Sequence, residues 1–360
     1  MTQRLARPDE ESNLQQSAFI AVFCISTLNI AIQPLQGGLR ALIVDTVPRH
    51  QQQTANAWAG VATSTTNLLC YLLSSLDLSK TLNFLGNSQF SILCVVTSLF
   101  LAMTITITCV VVKENNESTE QKTPKAANII ITLRYLCGSF PRLSPVVQGV
   151  LKVQFFSWMG WFPFLYYITI FVDNFTTSDT QHGTMRSGSV GLIIFSLASL
   201  LAGTTFPSLM TQARRASYKR KSSQGWYASP RHVWIASHIL FASCMLATVL
   251  ATSLWELYFL VGINGISWGI TIWAPHAMIS SHLSEKIVDQ FADDGYERRP
   301  GIVVGLHNAA IAAPQIVAAI GCSLLFWMFD GASGDSVGWV IRVSALPTLT
   351  AAWLAKNVPD

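Results

Sequence analysis

The stretch ILCVVTSLFLAMTITITCVVV, residues 92–112, contains no charged residue and is long enough to cross a lipid bilayer. A helix rises about 1.5 Å per residue, so about 20 apolar residues span the hydrocarbon core. The run as a whole lacks the alternation of a barrel strand, and backbone groups in lipid must be hydrogen-bonded within their own segment. The stretch therefore predicts a transmembrane helix.

Similar apolar runs recur along the whole chain. Of its 360 residues, 51% are hydrophobic and 12% are charged, whereas soluble domains are about one quarter charged. The sequence therefore predicts an all-α, multi-pass membrane protein. About nine transmembrane helices are expected, at residues 17–45, 54–79, 88–112, 148–172, 188–210, 233–253, 255–280, 301–328 and 336–355.

Lysine and arginine are distributed unequally among the connections between these spans. Sixteen lie in one set of alternate loops and four lie on the other side. The positive-inside rule places the richer set in the cytosol and the N-terminus outside. The net charge of +4 thus reflects topology, and no nucleic-acid partner is expected. The seven cysteines have no paired or metal-ligand spacing, so no metal site is predicted.

The spacing of the spans divides the chain into four parts. Residues 1–16 form a polar N-terminal tail and residues 17–112 hold three spans. Residues 113–147 form a long cytosolic loop of the kind that joins two helical bundles, and residues 148–360 hold six spans. No nucleotide-binding glycine loop and no hydrolase or transferase constellation is present, so the chain is not expected to be an enzyme.

Polar residues inside the first span lie on one helical face. Asn29, Gln33, Gln36 and Arg40 follow one another at spacings of four, three and four residues. An arginine in a membrane helix costs about 2.5–3.5 kcal/mol, so it usually faces water or a partner. Arg40 could instead extend to the cytosolic interface close to Asp45, but that alternative does not explain the three amides. The stripe predicts a hydrated path or a site for a hydroxyl-rich ligand.

Three motifs stand out along the chain: LQGGLRALIVDTVPRHQQQTANAW at residues 35–58, WMGWFPFLYYIT at residues 158–169 and GIVVGLHNAAIAAPQIVAA at residues 301–319. They resemble the sucrose carriers and related glycoside-pentoside-hexuronide symporters of the major facilitator superfamily. The first looks like the fourth helix of that family and its following loop, the second resembles the seventh helix, and the third is similar to the eleventh. The motifs occur in the family's order, and the tyrosine-rich seventh helix is closest to the fungal type.

The resemblance implies a fold of two six-helix bundles with substrate held between them. On that pattern the nine spans correspond to helices four to twelve, so the first three are expected to be missing and residues 17–112 to be a remnant of the N-terminal bundle. The implied activity is membrane transport of sucrose or a related α-glucoside such as maltose, by alternating access. A proton gradient would drive it, without a cofactor, and the plasma membrane is a better expectation than the vacuolar membrane.

The resemblance and the polar stripe together indicate candidate site residues. Asn29, Gln33, Gln36 and Arg40 would line the sugar path. Trp161 and Tyr167 would support the sugar ring, with Asn308 and Gln315 facing them from the second half. Asp45 and His307 are the candidates for proton coupling.

The sequence departs from the plant carriers where their acidic residues lie. Asn29 occupies the position of an aspartate, and Ile168 and Ile170 occupy those of two further acids. None of these side chains binds a proton, so an uncoupled sugar facilitator is one alternative. A non-transporting sugar sensor or truncated pseudo-transporter is another. The sequence leaves the particular glucoside and the oligomeric state open.

Overall fold

The computed structural model describes residues 8–48, 51–86, 88–112, 138–175, 184–220, 229–288, 300–329 and 335–359, and in these ranges the regular structure is entirely helical. Eleven α-helices follow in chain order: α1 Pro8–Thr46, α2 Gln52–Ser75, α3 Leu78–Thr81, α4 Gln89–Val111, α5 Pro145–Asn174, α6 Thr184–Arg220, α7 Pro230–Ala247, α8 Leu254–Val288, α9 Pro300–Phe329, α10 Ser336–Val343 and α11 Ala345–Ala355. Short 3₁₀ turns occupy Asn83–Leu85 and Phe140–Arg142.

Helix covers most of each of the nine predicted spans, which confirms the all-α membrane fold. The predicted spans 54–79 and 233–253 continue past the ends of α2 at Ser75 and α7 at Ala247. In the described ranges, seven segments are long and apolar enough to cross a membrane. The two predicted spans that are not among these seven segments correspond to α2 and α7. Helix α2 is rich in serine, threonine, asparagine and glutamine, and the first turn of α7 contains Pro230, Arg231 and His232, which make it less apolar. The long loop prediction, residues 113–147, falls mostly outside the described ranges, and the division into two bundles stays a prediction.

Several helices are longer than the apolar runs inside them. Helix α1 begins at Pro8, inside the segment predicted as a polar tail. Helices α6 and α8 likewise continue past their predicted cytosolic ends, as far as Arg220 and Val288. At these three helices the apolar pattern therefore located the span correctly but missed the polar turns that extend it.

The last predicted span, residues 336–355, is broken into α10 and α11 at Ser344. Pro347 explains the break, because proline has no N–H to donate and its ring clashes with the carbonyl of the residue four positions earlier. The Ser344 hydroxyl donates to the Ile341 carbonyl at 2.5 Å at this break. The two short helices still form one candidate membrane span.

Helices α5 to α11 pack around two connected apolar cores, and α8 is the most deeply buried of the candidate spans. Its glycines allow α6 to approach closely, since a Cβ on Gly265 or Gly269 would collide with the backbone carbonyls of Phe195 and Ser199. Helix α2 packs on α6 and α8, and α1 lies against α9. This arrangement leaves a space between α1 and α2 on one side and α5, α8 and α9 on the other.

Candidate functional site

A cavity of about 520 Å³ fills the space between these five helices. This volume lies within the range of about 300–1,000 Å³ that small-molecule sites occupy. Its lining combines amides, hydroxyls, one guanidinium, one imidazole and two indoles with apolar side chains. The polar and aromatic members are Gln33, Gln36, Arg40, Asn56, Thr63, Gln154, Trp158, Trp268, Thr271, His276 and Asn308.

Helix α1 contributes the face that the sequence spacing predicts. Gln33, Gln36 and Arg40 all line the cavity. Gly37, on the next position of the same turn, permits close approach of α9, because a Cβ there would lie 3.2 Å from the Asn308 amide nitrogen. The side chains of Asn29 and Asp45 lie outside the described part of the chain, so their predicted roles stay predictions.

Arg40 reaches across the cavity to a histidine that the sequence analysis did not select for the site. Its Nη1 donates to a ring nitrogen of His276 on α8, 236 residues away in sequence. A guanidinium has donors only, so the imidazole nitrogen that faces it accepts, and the ring is neutral. This contact connects the first-half helix α1 with the six-span part of the chain.

A second histidine extends the contact away from Arg40. The ring of His307 on α9 meets the His276 ring edge to face, with centroids 4.5 Å apart. Gln154 on α5 donates from its amide nitrogen to His307 Nε2 at 3.0 Å. His307 is 2% exposed and Gln154 is 1% exposed, so this hydrogen bond is buried. The Gln154 side-chain oxygen has no hydrogen-bond partner among the described residues. Arg40 is the single formal charge among the described lining residues.

The α5 tryptophan that lines the cavity is not the one that was predicted. Trp158 and Trp268 line the cavity and form an edge-to-face pair with centroids 5.6 Å apart. Trp161 is fully buried, 4.4 Å between centroids from Phe241 and 4.8 Å from Trp268. Its place in the packed core keeps Trp161 off the cavity surface, and Trp158, three residues earlier on α5, takes the position expected of it.

Tyr167 and Gln315 lie together on the α5 and α9 contact but outside the cavity lining. The Tyr167 ring packs on Phe326 with centroids 5.0 Å apart. Gln315 makes a side-chain hydrogen bond with Tyr166. Asn308 is the predicted α9 residue that lines the cavity, and His307 borders a smaller adjoining space.

On the side nearest the Thr46 end of α1, the cavity narrows to a space of about 30 Å³. Two polar contacts cross it side by side: the Arg40–His276 contact, and a hydrogen bond of 2.9 Å from the Asn56 amide nitrogen to the Ser280 hydroxyl. Apolar side chains lie beyond them, contributed by Ile279, Leu283 and Val304. The predicted topology makes this the cytosolic side.

For some of the cavity residues that were not predicted, the sequence does contain a signal. Trp158 lies one helical turn after Gln154, so the two share a face, and a polar residue at that register marks the cavity side of α5. Asn56 belongs to the motif after α1 but has no periodic partner. His276 is a lone histidine in an apolar run, and no local pattern distinguishes it from a packing residue.

Fold and cavity together define a multi-pass integral membrane protein with a ligand-sized polar space between its helices. No protein-family profile matches the chain. Over 94% of its length it is 27% identical to the general alpha-glucoside permease of Schizosaccharomyces pombe (strain 972 / ATCC 24843), and it covers 73% of that protein.

Plant proteins show the same similarity at greater distance. The chain is 25% identical to sucrose transport protein SUT2 of Oryza sativa subsp. indica, over 89% of the chain and 68% of that protein. It is 22% identical to sucrose transport protein SUC4 of Arabidopsis thaliana, over 98% and 72% respectively. The chain is thus a homologue of α-glucoside and sucrose carriers, which confirms the resemblance seen in its motifs.

Proposed function

We propose that the protein carries α-glucosides such as sucrose or maltose across a membrane by alternating access, at the plasma membrane. The observation that supports this most is the chemistry of the cavity. Amides both donate and accept hydrogen bonds, as hydroxyl-rich sugars require, and indole faces suit the C–H face of a pyranose. Gln33, Gln36 and Asn308 supply the amides, and Trp158 and Trp268 supply the indoles.

Arg40 would orient sugar hydroxyls from the centre of this cavity. Its guanidinium presents five donors in a fixed fork, and the donors not turned to His276 remain available to a ligand. The named activities of the α-glucoside permease and the sucrose transport proteins support a sugar as the ligand class.

Proton coupling is the driving force we propose. One proton that moves down about 100 mV and one pH unit releases about 3.7 kcal/mol, enough for several-hundred-fold accumulation. An uncoupled facilitator is the second candidate, because the described lining residues include no carboxylate. A protonophore separates the two, since it abolishes accumulation by a symporter and leaves facilitated uptake unchanged.

Uptake of radiolabelled sucrose and maltose by yeast that lacks its own carriers tests the proposal. We expect the protein to confer uptake of at least one of the two sugars. Normal surface expression without uptake of any α-glucoside would reject the carrier function.

Replacing Arg40 by alanine is the sharpest single change at the proposed site. Hydrogen bonds to charged groups contribute about 1.5–3 kcal/mol, so we expect sugar uptake to fall about 10- to 100-fold at limiting sugar. Lys152→Ala is the matched control, because Lys152 is an exposed cation on the cavity helix α5. Equal uptake by the Arg40→Ala and Lys152→Ala variants would show that Arg40 does not contribute to sugar binding.

A further inference from the structure

The two polar contacts at the narrow side of the cavity differ in one chemical respect. Asn56 and Ser280 are bridged by a hydrogen bond between neutral groups that do not titrate. Arg40 and His276 are bridged by a contact that exists only while the imidazole is neutral. The Arg40–His276 contact is therefore sensitive to protons, and the Asn56–Ser280 hydrogen bond is not. The two contacts together are called the closure below.

Protonation of His276 would remove the acceptor of the Arg40 contact and place two cations beside each other. Among the residues whose side chains the structure describes, the groups that face His276 provide no compensating negative charge. Arg40 faces it from α1 and His307 from α9, and both are basic. Asn56 and Gln154, from α2 and α5, are neutral amides. Like charges in a partly buried site repel strongly, so separation of α1 from α8 is the available response.

His307 is a less suitable proton site than His276. Its Nε2 already accepts a hydrogen bond from Gln154, and His307 borders the small space but is not among the residues that line the large cavity. His276 borders both the large cavity and the small space beyond it. A proton that enters from the cavity therefore meets His276 first.

We propose that His276 is the proton-binding residue of this carrier, and that its protonation opens the narrow side of the cavity by releasing Arg40. This inference rests on the proposed carrier function. Neutral His276 holds the closure, and protonated His276 breaks it. A membrane acid at position 29, 168 or 170 is then unnecessary for coupling.

Uptake measured across a pH series tests the assignment. One linked proton changes the balance of closed and open states by at most about tenfold per pH unit. We expect uptake by the unaltered protein to rise as the external pH falls from about 7.5 to 5.5, with most of the rise at the acid end, because Arg40 opposes protonation of His276 while the two are in contact. His276→Gln retains an amide oxygen that can accept from Arg40 but does not titrate, so its uptake should be flat over that range.

His307→Gln is the matched control and should keep the pH dependence of the unaltered protein. A His276→Gln variant with the full pH dependence would overturn the assignment. So would a His307→Gln variant that alone loses it.

Labelling without sugar separates this inference from the carrier function. Leu283 is 5% exposed and borders the small space. In inside-out vesicles, the reaction rate of a Leu283→Cys side chain with a membrane-impermeant maleimide is divided by that of Lys356→Cys, an exposed position, because acid lowers the reactive thiolate fraction of both. This ratio should be larger at pH 5.5 than at pH 7.5, after subtraction of the labelling of the chain without either cysteine. Adding His276→Gln should remove the difference, whereas adding Asn56→Ala should raise labelling at both pH values and preserve it.

Sugar uptake and cysteine labelling test the carrier function and the histidine closure separately. Acid-dependent labelling of Leu283→Cys without uptake of any sugar would reject the carrier function and keep the histidine closure. Uptake with labelling that does not depend on pH, or that His276→Gln does not alter, would reject the closure and keep the carrier.

Discussion

Helix α4 is the most apolar of the candidate membrane spans, yet only 6% of its apolar window is buried, whereas 72% of that of the less apolar α8 is buried. Lipid tails are as apolar as leucine, so apolarity gives a helix no reason to pack on another helix. Helix α8 packs because its glycines admit α6 closely, and it carries Thr271 and His276 to the cavity. Between these two helices, small and polar residues decide which one packs, and apolarity does not.

Replacing a phenylalanine by alanine should destabilise the protein far more in the core to which α8 contributes than on α4. Phe164 is fully buried in the aromatic core, and Phe100 on α4 is 53% exposed. We expect Phe164→Ala to lower the free energy of unfolding by about 3–5 kcal/mol and Phe100→Ala by less than about 0.5 kcal/mol. Denaturation of the purified protein in detergent measures both, and equal losses would contradict the packing described for α4 and α5.

Adding a methyl group to a glycine of α8 should cause the next largest loss of stability. A Cβ at Gly265 would overlap the Phe195 backbone, which cannot move aside as a flexible side chain could. We expect Gly265→Ala to cost about 3 kcal/mol, at the upper end of overpacking effects. Gly321→Ala on α9 is the control, because no atom lies within 4 Å of its added Cβ. Thermal unfolding in detergent that shifts equally in both variants would refute the close α6–α8 contact.

The buried pair of Gln154 and His307 sharpens the comparison at a polar position. Gln154→Leu removes the donor and leaves a buried imidazole nitrogen unpaired, at a cost of about 2 kcal/mol. The double variant Gln154→Leu/His307→Leu removes both partners and should recover most of that loss. A double variant less stable than the single one would show that the hydrogen bond is not the reason for the effect.

The smallest effect should occur where α4 begins. The Ser88 hydroxyl accepts from the Ser91 backbone N–H at 3.2 Å, so Ser88→Ala should cost about 1 kcal/mol of stability. Ser98→Ala, in the middle of the same helix, is the control and should change the melting temperature less. Indistinguishable melting temperatures for the two variants would show that the cap contributes nothing.

Most of the helical architecture could be predicted from the sequence, because apolar length is a local property. The break at Ser344 also had a local cause in Pro347, although the apolar run conceals it. Helix ends were less predictable, since polar helices such as the last turns of α6 continue beyond the apolar run.

The cavity was predictable only where its residues repeat at helical spacing. Gln33, Gln36 and Arg40 share a face, and the structure places that face on the cavity. His276 meets Arg40 through a contact between residues far apart in the chain, which no local pattern encodes. Trp158 and Trp161 are three residues apart, and the motif that contains both does not say which of them faces the cavity and which the core.

Cysteine accessibility along α1 tests the central claim that its polar face lines a water-filled space. Gln33→Cys and Gln36→Cys should react with a membrane-impermeant reagent, and bound sugar should slow both reactions. Ile30→Cys should stay unreactive, because Ile30 is 73% exposed on the outside of the helix bundle, where lipid would cover it. If positions 33 and 36 were as unreactive as position 30 in every state, the cavity would not be a path through the membrane.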